Sequence, residues 1–248
     1  MISFQAPGKA VIWGEYAVLA GAPAMVMAVN RFAECRIEPG GESWHCQSRG
    51  FDAESNVSAE DLLRGSVSNQ TASAPLAAAA QTLNVGNLPP GASVLLDSRP
   101  FYATSEPTQK LGIGSSAAIC TATCAALAEL DDKTLTFELA LKAHRLLQQA
   151  EGSGIDVAAA FHGGVLKFIN GSPSPAVWPE NLHFQFIWTG VSAKTASHLR
   201  TFSDWRKTGD RQVLERLSAA CTDLFANADL DRLAHYVETL KILDSTAN

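Results

Sequence analysis

The segment from Lys110 to Ala118 reads Lys-Leu-Gly-Ile-Gly-Ser-Ser-Ala-Ala and runs directly into an Ala-rich, helical stretch. Glycines at 112 and 114 would let backbone N–H groups approach an anion, because no Cβ atom intervenes. A helix beginning at Ser115 or Ser116 would aim its unpaired N–H groups and positive dipole end at the same point. The pattern predicts a phosphate-binding loop, although its spacing is not that of a Walker A loop. A Gly-Ser turn that merely caps a core helix is the alternative.

A carboxylate follows a flexible turn in the segment Glu151-Gly-Ser-Gly-Ile-Asp156. Asp156 could accept the proton of a substrate hydroxyl during phosphoryl transfer, provided that a nearby cation keeps the carboxylate ionised. The alternative is structural, because an Asp at this place could also cap a helix over Val157–Phe161.

A lysine follows a Pro-Gly dipeptide in Ala6-Pro-Gly-Lys9, and Gly14-Glu15-Tyr16 comes a few residues later. In one interpretation Lys9 is a solvated surface residue. In the other, its ammonium pairs with Asp156 and lowers the pKa of the attacking hydroxyl.

The strands that would position these residues are short and apolar. We expect a turn at 6–9 between two of them, and loops with short strands over residues 39–58. The predicted strands are Ile2–Phe4, Ala10–Trp13, Ala24–Val29, Phe32–Ile37, Ser93–Leu96, Gly163–Ile169 and Phe184–Thr189.

The predicted helices are Ala72–Leu83, Ser115–Leu130 and Thr136–Gln149, with a loop at Pro107–Gly114. Three further helical patterns extend to Leu243. Together the elements indicate an α+β protein with a mixed antiparallel sheet and helices on one side.

The composition limits the classes of function that the chain can serve. With 248 residues, 46 % of them apolar and 18 % charged, the chain can bury a large core. A net charge of −6 argues against a nucleic-acid-binding surface. The apolar run from Ala17 to Val29 is too short to span a membrane, and no leader pattern precedes it. We expect a soluble, cytoplasmic protein without a membrane partner.

The five cysteines form no Cys-x-x-Cys pair. Cys120 and Cys124 lie four positions apart on one face of a predicted helix. We expect small, buried, reduced side chains rather than a metal site.

Taken together, the three segments resemble the GHMP kinases, the superfamily of galactokinase, homoserine kinase, mevalonate kinase and phosphomevalonate kinase. The stretch Ala6–Leu19 resembles the first family motif, and Lys110–Ala118 the Gly-rich second motif. Several details are most similar to phosphomevalonate kinase: Gly-Glu-Tyr where mevalonate kinases usually have Gly-Glu-His, Lys110 before the loop, the segment ending at Asp156, and Trp188–Thr195.

The resemblance implies a two-domain fold. A ribosomal S5-like, ATP-binding domain is expected over residues 1–160, and a ferredoxin-like α+β part over residues 161–248. No segment resembles the third, Gly-rich family motif, so the second part is expected to be incomplete.

The resemblance also implies roles for individual residues. Asp156 becomes the catalytic base and Lys9 its electrostatic partner. The acidic substrate is expected at Lys110, Tyr16, Ser153 and Ser192. Hydroxyls of Ser115 and Ser116 are the expected Mg²⁺ ligands. The phosphates of ATP are expected at Gly112, Ile113, Gly114, Ser115, Ser116 and Ala117.

One departure concerns the metal. Mevalonate kinases place a Mg²⁺-binding Glu shortly before the catalytic Asp, whereas this neighbourhood holds His144 and Arg145. The resemblance therefore identifies no carboxylate ligand for Mg²⁺ in this sequence.

The implied activity is transfer of the γ-phosphoryl of ATP to a small acidic metabolite, phosphomevalonate first among the candidates. The alternatives are a mevalonate kinase, another metabolite kinase of the superfamily, or a non-catalytic relative that binds nucleotide or metabolite. The oligomeric state stays open, with a homodimer as one possibility.

Overall fold

The computed structural model describes residues 1–104, 109–149, 152–178, 180, 183–190, 202, 205, 207 and 211–247. The chain divides into two compact units. The first contains residues 1–10, 28–163 and 188–191, and the second contains residues 11–27, 164–187 and 192–248. Both units combine strands and helices, which confirms the α+β class predicted from the sequence.

The sheet of the first unit is built on two long strands that continue into the second unit. The strands are β1 (Ile2–Trp13), β2 (Ala24–Pro39), β3 (Trp44–Arg49), β4 (Ala53–Val57) and β5 (Ala92–Asp97). β2 pairs with β1 and, through its last residues, antiparallel with β5. β5 pairs parallel with β3, and β3 pairs antiparallel with β4.

The described residues of the first unit also form five α-helices: α1 (Ala59–Arg64), α2 (Ala74–Leu83), α3 (Ser115–Leu130), α4 (Phe137–Gln148) and α5 (Ile155–His162). α2 packs against α3 and α4, and α5 packs against the same two helices. Small side chains such as Cys120 and Cys124 are buried in α3, and all five cysteines are free and buried, as predicted.

The second unit has its own sheet segment and its own core. The first residues of β2 pair antiparallel with β6 (Val165–Ile169), which pairs with β7 (Ser172–Pro175). Further along, the described residues form the helices α6 (Arg211–Ala226) and α7 (Leu230–Ala247). Its core combines large apolar side chains from the strands and from both helices: Trp13, Met25, Leu217, Leu224, Tyr236 and Leu243. No helix in the described ranges is long and apolar enough to cross a membrane.

Two predicted interruptions of the strands are wrong. The predicted turn at residues 6–9 lies inside β1, and the predicted break between Val29 and Phe32 lies inside β2. Gly8 is required by packing rather than by a turn. A Cβ atom there would lie 2.7 Å from the carbonyl oxygen of Ile113 and 2.7 Å from a ring carbon of Phe101.

The strand predicted at Phe184–Thr189 is also wrong, since these residues form no regular strand. Instead, the ring of Phe184 packs edge-on against Trp178 and Phe186, with centroids 4.8 and 5.1 Å apart. In this segment, phenylalanines at alternate positions pack against aromatic rings without forming a strand. Two of the three C-terminal helical patterns correspond to α6 and α7, and the region before them falls largely outside the described residues.

The close packing at Gly8 gives a first prediction. We expect Gly8→Ala to lower the free energy of unfolding by about 1–3 kcal/mol, because the added methyl group overpacks the contact between β1 and Ile113. Gly86→Ala is the matched control, because a Cβ atom there would have no neighbour within 4 Å. Denaturant unfolding measures both, and an equal effect of the two substitutions would contradict the packing described for Gly8.

Candidate active site

Lys9 holds the Gly-rich loop against β1. Its backbone N–H donates a hydrogen bond to the carbonyl of Ile113, at 2.8 Å. Its side chain extends past Gly114, where an added Cβ atom would lie 3.1 Å from Cγ of Lys9. The stem of the lysine and the residue preceding α3 are therefore in direct contact, and a larger residue at 114 would disturb both.

The ammonium of Lys9 pairs with the carboxylate of Asp156, as predicted from the sequence. Nζ and Oδ1 lie 3.3 Å apart, and the two side chains are 17 % and 25 % exposed. Lys9 is thus neither a free surface residue nor fully desolvated. The pair leaves part of the carboxylate accessible, which a proton acceptor needs.

Asp156 lies in the first turn of α5 but does not cap the helix. The N-cap residue is Gly154, with φ of 87° and no side-chain capping bond. The alternative in which Asp156 serves only as a helix cap is therefore wrong. A carboxylate in a first turn is stabilised by the positive end of the helix dipole.

The Gly-rich loop ends in a helix N-terminus that no side chain caps. Gly112 and Gly114 have φ of 77° and 85°, in the left-handed region that glycine adopts without strain. α3 begins at Ser115, as predicted, and its N-cap Gly114 supplies no side-chain bond. The first four N–H groups of a helix have no intrahelical acceptor. Backbone donors of Ser115, Ser116 and Ala117 are therefore suited to an anion such as a phosphate.

His144 is a member of this site that the sequence did not assign. It lies in α4, is buried, and places Nε2 3.3 Å from Oγ of Ser116. Burial lowers the pKa of His144, and the negative charge of Asp156 opposes this shift only in part. Burial therefore favours the neutral form of the imidazole. No local signal could have found the contact, because the two residues are 28 positions apart.

The predicted substrate-binding residues are distributed over both units. Lys110 is exposed in the first unit, where its backbone bridges to Tyr102 and its ammonium lies 5.7 Å from the centre of that ring. Ser153, also in the first unit, accepts a hydrogen bond from the N–H of Ile155 at 3.4 Å. Tyr16 belongs to the second unit. Ser192 lies outside the described residues. The roles of these residues in substrate binding stay predictions.

The Gly14-Glu15-Tyr16 motif is held by a residue that the sequence analysis missed. The hydroxyl of Tyr236 in α7 accepts a hydrogen bond from the N–H of Gly14 at 2.9 Å and donates one to Glu15 at 2.6 Å. Burial and the nearby Glu15 carboxylate raise the pKa of Tyr236, so it stays protonated. Tyr16 has a positive φ of 59°, and its ring packs against Phe202.

The described side chains do not by themselves form a magnesium site. Mg²⁺ prefers octahedral coordination by oxygen atoms, and no group of three or more His, Cys, Asp or Glu residues in the described ranges could hold a metal ion. Asp156 is paired with Lys9, and His144 offers a nitrogen. The role of the Ser115 and Ser116 hydroxyls as metal ligands stays a prediction.

Part of the chain matches a known protein family. Residues 73–164 match the family described as "GHMP kinases N terminal domain". None of the curated proteins matches the sequence.

Three solved structures with the same fold carry different activities in their names. Mevalonate kinase from Methanococcus jannaschii has a TM-score of 0.70 at 14 % identity, covering 98 % of this chain and 78 % of that one. Phosphomevalonate kinase from Streptococcus pneumoniae, in complex with phosphomevalonate and AMPPNP, has a TM-score of 0.64 at 16 % identity, covering 98 % and 78 %. Galactokinase from Lactococcus lactis, complexed with galactose, has a TM-score of 0.60 at 12 % identity, covering 95 % and 65 %.

These identities are too low to transfer a substrate, but the structures share one fold. The matched family segment contains both the Gly-rich loop and Asp156, the two parts of the site that contact Lys9. The chain has the fold of these kinases, and its residues 73–164 match the GHMP kinase N-terminal domain family.

Proposed function

We propose that this protein is an ATP-dependent kinase that transfers the γ-phosphoryl group to a hydroxyl of a small acidic metabolite, with phosphomevalonate as the first candidate. The observation that carries the proposal is the ion pair between Lys9 and Asp156, formed by a lysine that also contacts the Gly-rich loop. A proton acceptor and its cation therefore lie beside a helix N-terminus suited to phosphate.

The described residues can support phosphoryl transfer in three ways. N–H groups at the start of α3 would bind phosphate oxygens and offset their charge. Asp156 would accept the proton of the attacking hydroxyl. Lys9 would keep Asp156 ionised and favour negative charge on the attacking oxygen. Positioning and charge neutralisation are the main sources of catalysis for a loose phosphoryl-transfer transition state.

An acidic acceptor would be attracted by individual lysine side chains and not by the net charge of the chain. The chain carries a net charge of −6, so an anionic substrate has to be attracted by individual cations. Exposed Lys110 lies three residues before Ile113 of the loop, and we assign it to the acid. The fold shared with a phosphomevalonate kinase structure supports this choice, although galactokinase shares the fold too. The five reduced cysteines suit the cytoplasmic location that we propose.

ATP consumption in the presence of candidate acceptors tests the proposal. We expect turnover with phosphomevalonate or mevalonate, and background rates with homoserine and galactose. Turnover restricted to galactose would contradict the acidic substrate. Nucleotide binding without turnover of any acceptor would favour a non-catalytic relative.

Asp156→Asn should abolish turnover and leave nucleotide affinity nearly unchanged. The amide keeps the shape of the side chain but accepts no proton, and loss of a general base typically costs about 10²–10⁴-fold in rate. Asp131→Asn is the matched control, because Asp131 is a carboxylate paired with Lys133 outside the loop and α5. Steady-state kinetics and calorimetry measure the two effects. An unchanged kcat in Asp156→Asn would disprove the base.

Lys110→Ala should raise the KM for the acid more than the KM for ATP. The charge of an exposed lysine attracts an anion, and salt screens this attraction beyond about 8–10 Å at ordinary ionic strength. The effect of the substitution on KM should therefore shrink as ionic strength rises. Lys142→Ala, which removes an exposed lysine from α4, is the control. A larger rise in the KM for ATP would assign Lys110 to the nucleotide instead.

A further inference from the structure

His144 is a buried ionisable residue that the proposed mechanism does not use. It lies within α4, which packs against both α3 and α5, the helices that carry the loop serines and Asp156. Only 7 % of its surface is exposed, so its ring is enclosed by these helices rather than by solvent. A buried imidazole costs free energy unless its nitrogens have partners. The partner identified for Nε2 is the hydroxyl of Ser116, at 3.3 Å.

Ser116 occupies the second position of α3, where the N–H donors of the helix are unpaired. Its hydroxyl can rotate among staggered positions and can act as donor or acceptor. A hydrogen bond from a fixed neighbour removes this freedom before any ligand arrives. Pre-organisation of this kind strengthens binding because the ordering cost is already met in the free protein.

We propose that His144 is a positioning residue that fixes the Ser116 hydroxyl, and thereby sets how the amino end of α3 binds the phosphates of a nucleotide. The inference rests on the proposed function, since it takes the loop to be the phosphate site. His144 acts only through Ser116 and contacts no reacting atom.

The direction of the hydrogen bond decides what Ser116 can offer. If Nε2–H donates to the serine oxygen, the serine O–H stays available to donate to a phosphate oxygen. If the serine donates to Nε2, the serine oxygen is left to accept. The first arrangement suits an anion, so phosphate binding should favour the tautomer with the proton on Nε2.

A set of four variants tests the proposal: Ser116→Ala, His144→Leu, the double variant and His144→Gln. Leucine removes both ring nitrogens, whereas the glutamine amide can place a donor near the position of Nε2. A hydrogen bond to a charged phosphate contributes enough that its loss weakens binding on the order of 10-fold. Thr123→Val is the control, because it removes a buried hydroxyl of α3 that bonds to the carbonyl of Ile119 and lies beside the Cys35 thiol rather than beside the loop.

We expect Ser116→Ala and His144→Leu to raise the dissociation constant of AMPPNP by similar factors, on the order of 10-fold. The double variant should bind no more weakly than Ser116→Ala alone. His144→Gln should recover most of the affinity. In kinetics, the KM for ATP should rise in both single variants while the KM for the acceptor stays unchanged. A general loss of structure would not produce this split, and melting temperatures check for it.

The proposal is overturned if the losses of the two single variants multiply in the double variant, or if His144→Gln binds as weakly as His144→Leu. Failure of the proposed function looks different. A wild-type protein that binds AMPPNP but turns over no acceptor contradicts the kinase assignment, while the affinities still test His144. A wild-type protein that binds no nucleotide contradicts both proposals.

Discussion

The ion pair between Lys9 and Asp156 joins the segments on which the site depends. Lys9 contacts the Gly-rich loop through its backbone and its stem, and contacts α5 through its ammonium. Both charged groups are partly exposed, and exposed pairs contribute only about 0–1 kcal/mol to stability. The pair therefore contributes little to the stability of the fold. It places a carboxylate and a cation beside the N-terminus of α3, and in the function that we propose these groups act on the substrate.

The helices of the first unit differ in the residue that stands at the N-cap. α1 and α4 begin at Ser58 and Thr136, whose side chains accept bonds from backbone N–H groups of the first turn. α3 and α5 begin at Gly114 and Gly154, which have no side chain to cap them. Replacing a good cap by alanine costs about 0.5–2 kcal/mol, and by glycine a few tenths. α2 also lacks a side-chain capping bond, at its N-cap Ser73. What sets α3 and α5 apart is therefore the glycine at the N-cap, and these two helices carry the loop serines and Asp156.

Much of the site could be predicted because its signals are local. Glycine spacing and the Ala-rich run predicted that α3 begins at Ser115 or Ser116, and it begins at Ser115. Two segments with charged residues predicted the Lys9–Asp156 pair. The Pro7-Gly8 dipeptide predicted a turn, because proline and glycine are common in turns. In the structure both residues lie within the continuous strand β1, and the missing side chain of Gly8 lets Ile113 approach closely. Such an approach depends on residues more than a hundred positions away, and local patterns carry no information on it.

The contacts that the sequence missed are long-range hydrogen bonds. Tyr236 bonds to Gly14 and Glu15 across more than 220 positions, and His144 bonds to Ser116 across 28. A tyrosine in an amphipathic helix and a histidine in another have many structural explanations, so residue type alone could not single them out. The substrate stays a proposal, because a phosphomevalonate kinase and a galactokinase share this fold.

The most direct test of the account is the kinetic coupling between Lys9 and Asp156. The measurement is kcat for Lys9→Met, Asp156→Asn and the double variant, each with the acceptor that the wild type phosphorylates. If Lys9 acts by keeping Asp156 ionised, the double variant should turn over about as fast as Asp156→Asn alone, a strong departure from additivity. If the two losses multiply, the residues act independently, and the ion pair is not the centre of phosphoryl transfer.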